Sequence, residues 1–167
     1  WALVQILTEL PQILGGDKDD ALKYCDEILS ISYIHGLLSY HYYYSFKKNE
    51  GLILDTEVKI FDEIRSNPIL FEFNHFNFVV GKLLINTDTT QFNLALRYLN
   101  RYLLNYSSAD RFSLEEVYYY LAYCNFYLGN SNSINLLKKS KEIALKSQKK
   151  NYNLISKIEE LNKLMNQ

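Results

Sequence analysis

Residues 121–130, Leu-Ala-Tyr-Cys-Asn-Phe-Tyr-Leu-Gly-Asn, close one apolar helix and turn the chain at Gly129-Asn130. The run that follows spaces Ile134, Leu137, Ile143, Ala144 and Leu145 along the face of a second helix. The same unit is legible near the start. There Leu14 ends a helix, Gly15-Gly16-Asp17 makes the turn, and Ala21, Leu22, Cys25, Ile28 and Leu29 open the apolar face of the next. A helix pair of this kind cannot bury its apolar face alone. Stacked copies, an all-α right-handed solenoid, are the expected architecture.

Two more units fit between these ends. In the first unit, about 1–31, a helix over 2–14 would bury Ala2, Leu3, Ile6, Leu7 and Leu10. Pro11, which lacks a backbone donor, should kink it or end it early. Asp17 is placed to cap the next helix. The second unit, 32–67, pairs a Tyr-rich helix over 33–47 with a helix capped by Asp55, whose face would be Val58, Ile60, Phe61 and Ile64. Asn67-Pro68 reads as cap and first residue of the following helix.

The third unit, 68–107, has helices at about 69–85 and 90–105, with Thr87-Asp88-Thr89-Thr90 as turn and cap. Phe92, Ala95, Leu96, Leu99, Tyr102 and Leu103 make its amphipathic stripe. The fourth, 108–148, opens on Ser113-Leu114-Glu115-Glu116, which has capping-box spacing. Helices over 114–128 and 132–148 follow. A last helix, 152–166, carries Leu154, Ile158, Leu161 and Met165 on one face and suits the cap that a solenoid needs. The reading is therefore one domain of about nine helices, residues 1–167.

The early positions of the four second helices, Ala21, Glu57, Ala95 and Leu137, are separated by 36, 38 and 42 residues. With Leu121-Ala122 before a turn, Leu128-Gly129 and Leu14-Gly15-Gly16 at turns, and small Ala21 and Ala95 after them, the chain resembles the tetratricopeptide repeats. Units one and four carry the resemblance. Unit two has Glu57 or Thr56 where a small residue belongs, and units three and four run long. A generic α-solenoid or an irregular helical bundle answers the same pattern.

Composition agrees with long helices and short turns: 167 residues, 48% hydrophobic, 15% aromatic, six Gly and two Pro. No apolar run reaches the roughly 18 residues of a membrane span. The net charge of −1 hides an asymmetry. Residues 1–130 balance at −6 and residues 131–167 at +5. Cys25 and Cys124 are too far apart for a metal spacing and read as small buried hydrophobes. That usage suits a reducing compartment, with a cytoplasmic location the expectation, or simply no need for disulfides. The chain opens at Trp1 rather than Met, so a preceding domain or signal is an open expectation.

Catalytic constellations are thin. His35, His41 and His75 have no metal spacing, and no Walker loop, dinucleotide fingerprint or nucleophile elbow is present. No enzyme activity, cofactor or metal is expected. In tetratricopeptide arrays the first helix of each pair lines a concave groove, so the resemblance implies binding residues on those helices. They would be Tyr40, Tyr43 and Tyr44 in unit two; His75, Phe78 and Lys82 in unit three; and Tyr119, Tyr123 and Phe126 in unit four. Such rings serve either to fill space between helices or to meet a partner.

Family members that hold a chaperone's C-terminal carboxylate use Lys, Asn and Arg on these helices. Here the corresponding places hold Ile6, Leu10, Leu37, His75 and Val79, so that function is not carried over. The expectation is a non-catalytic scaffold for a protein or peptide partner. A peptide-sensing regulatory module of a larger signalling or transcription protein is the alternative. Nucleic acid is the lesser rival: Lys138, Lys139, Lys141, Lys146, Lys149 and Lys150 could meet phosphates, but no Arg stands among them.

Overall fold

The computed structural model describes residues 1–86 and 89–166, and its helices begin where turn chemistry allows. Asp17 is the clearest case. Its carboxylate accepts from the backbone N–H groups of Asp19 (2.9 Å) and Asp20 (3.0 Å), satisfying two orphan donors at a helix start. Among the described residues the chain is all-α, with nine α-helices and no strand. It divides into two compact units, Trp1–Ile69 and Leu70–Gln167.

The first unit holds α1 (Ala2–Glu9), α2 (Lys18–Ile31), α3 (Tyr33–Lys47) and α4 (Glu50–Ser66). The helix expected over 2–14 stops at Glu9. Pro11 breaks it, and a 3₁₀ turn over Gln12–Leu14 leads to Gly15 in the left-handed region at φ 90°. The expected apolar face is also corrected. Val4 and Thr8 are buried, while Leu3, Leu10 and Ile6 (50% exposed) face outward. α1 is apolar on most sides, so periodicity could not choose which side α2 and α3 would cover.

α3 occupies its expected range. Lys48 then reverses the chain with a positive φ of 54°, and Asn49, not Asp55, caps α4 by accepting from the Leu52 N–H at 3.3 Å. The cap stands six residues earlier than the sequence reading placed it. Its buried face is Thr56, Ile60 and Ile64; Val58 is exposed and Phe61 only partly covered. α2 and α3 cross at near backbone contact. A Cβ on Gly36 would lie 2.4 Å from the Leu29 Cα. Val4, Ala21, Cys25 and Tyr43 form the core between α1, α2 and α3.

The second unit holds α5 (Asn74–Ile85), α6 (Phe92–Leu104), α7 (Leu114–Tyr127), α8 (Ser133–Lys146) and α9 (Tyr152–Met165). No helix starts at Asn67-Pro68. The buried Asn77 amide donates to the Phe71 carbonyl (2.9 Å) and accepts from the Phe71 N–H (3.1 Å). Both hydrogen bonds hold the approach to α5 outside the helix. Thr89–Gln91 forms a 3₁₀ turn; the Thr87 and Asp88 part of the expected turn lies outside the described residues.

α6 buries Phe92, Ala95, Tyr98, Leu99 and Tyr102, close to the predicted stripe. The Tyr102 hydroxyl donates to the Phe112 carbonyl (2.7 Å) and accepts from the Phe112 N–H (3.2 Å). That pins the long connection to α7 and seats the Phe112 ring 4.1 Å from Phe78. Ser113 precedes α7 but makes no side-chain cap bond, so the capping box does not form. Glu116, its reciprocal member, pairs instead with Lys82 at 3.5 Å. Gly129 supplies the next turn at φ 72°. The Ser140 hydroxyl ties α8 to the Glu115 carbonyl of α7 at 2.7 Å. Asn151 caps α9, which covers the core with Leu154, Ile158 and Leu161.

Within each unit successive helices pack in chain order, and α1 also touches α3, α5 touches α7, and α7 touches α9. This succession is consistent with a helical repeat. Two outcomes follow. Gly36→Ala should lower stability by about 1–3 kcal/mol in urea denaturation, because the new methyl meets backbone. Burial pushes the phenols of Tyr98, Tyr119 and Tyr120 from 10 up to about 12. A folded pKa above the unfolded one adds stability that is complete below pH 10 and lost as pH rises toward 12. The buried thiols of Cys25 and Cys124, raised from 9 to about 12, act in the same direction, so the urea midpoint should hold steady below about pH 9 and fall above it.

Candidate functional site

One stripe of α7 joins a polar pocket to an aromatic patch in the second unit. Glu116, Tyr120, Tyr123 and Tyr127 stand at i, i+4, i+7 and i+11, so they share one helix face. At its polar end, Lys82 of α5 reaches Glu116 and lies 5.6 Å from the centre of the Tyr120 ring. Asn153, Leu154 and Lys157 of α9 close a pocket of about 170 Å³ there. Toward the other end, Tyr123 and Tyr127 lie 4.7 Å apart, with Phe92 of α6 at 5.9 and 6.0 Å from them. Tyr127 is 45% exposed. The stripe presents charge at one end and aromatic area at the other.

The expected binding residues separate into surface and core. In the second unit, Lys82, Tyr123 and Phe126 keep some exposure, and Phe126 lies 5.1 Å from Tyr127. Phe78 is fully buried and Tyr119 is 8% exposed, so both fill the core. His75 is partly covered, its ring 3.9 Å from that of Phe76. In the first unit Tyr43 is core, whereas Tyr40 and Tyr44 stack at 5.5 Å along one wall of a cleft. Tyr40 donates its hydroxyl to Asp26. Burial first, and that hydrogen bond second, hold its phenol well above the usual range.

That cleft, about 230 Å³, lies along α3 with Leu29 of α2 on one side and Leu52, Asp55 and Lys59 of α4 on the other. Tyr33 and Leu37 complete its floor. Tyr120, Tyr127, Lys157, Tyr33 and Asp55 were missed as site residues by the sequence reading. The i, i+4 step from Glu116 to Tyr120 and from Tyr123 to Tyr127 was the available signal.

Among the described residues, no three His, Cys, Asp or Glu side chains are grouped to hold a metal ion. No helix there is long and apolar enough to cross a membrane. His41 pairs with Glu57 at 3.0 Å, and the His35 Nδ1 lies 2.8 Å from the Ser32 hydroxyl. Burial raises the free thiols of Cys25 and Cys124 to about 12, which denies them thiolate character at neutral pH.

No protein family's sequence profile matches the chain, and neither the curated proteins nor the solved structures give a match.

The Lys82–Glu116 pair is partly open to water, where ion pairs contribute little. Lys82→Ala should change unfolding stability by less than about 1 kcal/mol. A larger loss in chemical denaturation would make Lys82 a structural residue rather than one free to meet a ligand.

Proposed function

We propose that this protein is a non-catalytic helical-repeat scaffold that holds a protein or peptide segment on the face shared by α5, α7 and α9. The observation that carries this reading is the contact of α7 with both α5 and α9, with Lys82 and Lys157 beside Glu116 and Tyr120, and Tyr123 and Tyr127 continuing the same α7 face. A stack of helices whose alternate members line one face offers a long rigid surface. Here that surface has aromatic rings for contact area and Lys82, Glu116 and Lys157 for polarity and register. Rigid aromatic anchors lose little side-chain entropy on binding, which is why a few of them can dominate affinity.

The binding residues expected from sequence shift accordingly. Phe78 and Tyr119 hold the scaffold together, while Tyr123, Tyr127 and Lys82 make the contact. The test is selection of displayed random peptides on the immobilised protein. Each selected peptide is then titrated against wild type and against Tyr123→Ala/Tyr127→Ala, with circular dichroism as the fold control. The double variant should bind at least about tenfold more weakly, equivalent to about 1.4 kcal/mol, with helix content unchanged. Equal binding by the folded double variant would remove the α5–α7–α9 face from the function.

A further inference from the structure

The second unit carries a surface of another kind on α8. This helix buries Ser133, Leu137, Ser140 and Ala144. Ile134, Lys138, Lys141 and Leu145, at i, i+4, i+7 and i+11, share a different face, and all four are exposed. Ile134 is 46% and Leu145 49% exposed. They stand about 16 Å apart along the helix, with the two lysines between them. The chain then leaves α8 through Lys146, Lys149 and Lys150 and enters α9 at Tyr152, which is 76% exposed.

The charge belongs to the surface itself. From Lys138 to Lys150 six Lys stand against one acid, Glu142, and all seven side chains are exposed. Among the described residues the ion pairs form elsewhere, at Lys23–Asp20, His41–Glu57 and Lys82–Glu116, so no carboxylate is paired with these cations. The Lys139 ammonium lies 4.4 Å from the centre of the Tyr118 ring, a contact that leaves its charge uncompensated. α9 does not offset the excess, because its Lys157 and Lys163 balance its Glu159 and Glu160. The surface therefore suits an anionic partner.

Two features choose the anion. The cations are all Lys, and the chain has no Arg after Arg111. Guanidinium forks serve bidentate recognition of bases and carboxylates, whereas ammonium groups act as hydrated point charges toward a field of phosphates. The stripe also sets aliphatic side chains among the cations. A nucleic-acid backbone offers Ile134 and Leu145 nothing apolar to enter. At a bilayer interface they and the Tyr152 ring can bury themselves below the headgroups, while the lysine stems keep their ammonium groups at the lipid phosphates. We infer that the α8 stripe and the α8–α9 connection dock this protein on an anionic lipid bilayer, with α8 lying along the interface. This surface is separate from the α5–α7–α9 face and does not depend on what that face binds.

The probe is vesicles of phosphatidylcholine with about 30% phosphatidylserine, against vesicles of phosphatidylcholine alone. Co-sedimentation compares the full chain with Lys138→Gln/Lys141→Gln, Ile134→Gln/Leu145→Gln and, from α7, Tyr127→Ala. All five positions are exposed and outside the helix caps, and Gln suits a helix, so the fold should survive; circular dichroism checks this. The anionic vesicles should bind the full chain at least about tenfold more tightly than the neutral ones. Each α8 double variant should weaken that binding about fivefold or more, and Tyr127→Ala should leave it unchanged. Duplex DNA or poly-glutamate added at equal charge should leave the protein on the vesicles. Equal binding to both vesicle types, no binding, or undiminished binding by either α8 double variant would each overturn the assignment, as would loss on Tyr127→Ala. Release by DNA would overturn it in favour of nucleic acid, and release by poly-glutamate in favour of an acidic protein segment.

Discussion

Helix α7 has almost no side left for water. Six consecutive residues, Val117 to Ala122, are buried, and Cys124 with them. A helix apolar all round gains nothing by lying on a single neighbour. It requires α5, α6, α8 and α9 around it, and the second unit is the set of contacts that meets this demand. Two hydroxyls that enter this core are matched. The Tyr102 hydroxyl holds both backbone groups of Phe112, and the Ser140 hydroxyl takes the Glu115 carbonyl. Those bonds fix where α7 starts and how α8 leans on it.

The exposed chemistry follows from the same packing. α7 sits centrally, with Glu116 partly open at its start and Tyr127 exposed at its end, and α5 and α9 supply Lys82 and Lys157 beside Glu116. Aromatic residues are so frequent in α7 that some must be structural. Tyr118, Tyr119 and Tyr120 are each less than one-tenth exposed, and Tyr127 escapes because it stands at the helix end. The first unit reaches an open surface by another route. Gly36 lets α2 and α3 approach closely on one side, while Tyr33 of α3 and Leu52 of α4 stay exposed beside the cleft on the other.

Much of this was legible without coordinates. Helix positions over 33–47, 114–128, 132–148 and 152–166 came out within a residue or two, because their flanking turns, and for the last two their amphipathic stripes, are strong local signals. Asp17 as a cap and both cysteines as buried hydrophobes were equally plain. The misses share a cause. Asp55 as a cap, the helix start at Pro68 and the capping box at Ser113 were sound local possibilities that lost to partners elsewhere. Asn49 offered an earlier cap, Asn77 captured the Phe71 backbone, and Lys82 drew Glu116 aside.

Sequence alone determined that this chain is helical, where most of its helices lie, and that aromatic side chains would dominate both core and surface. Those are consequences of periodicity, of few Gly and Pro, and of turn residues that act on their immediate neighbours. Which aromatic ring is core and which faces water was decided only by tertiary packing. Tyr119 and Tyr123 sit four residues apart in one helix with the same chemistry, yet Tyr119 is almost wholly covered and Tyr123 less so. The difference lies in which neighbouring helix stands over each. That neighbour is set by contacts distant in sequence, and no local pattern encodes it.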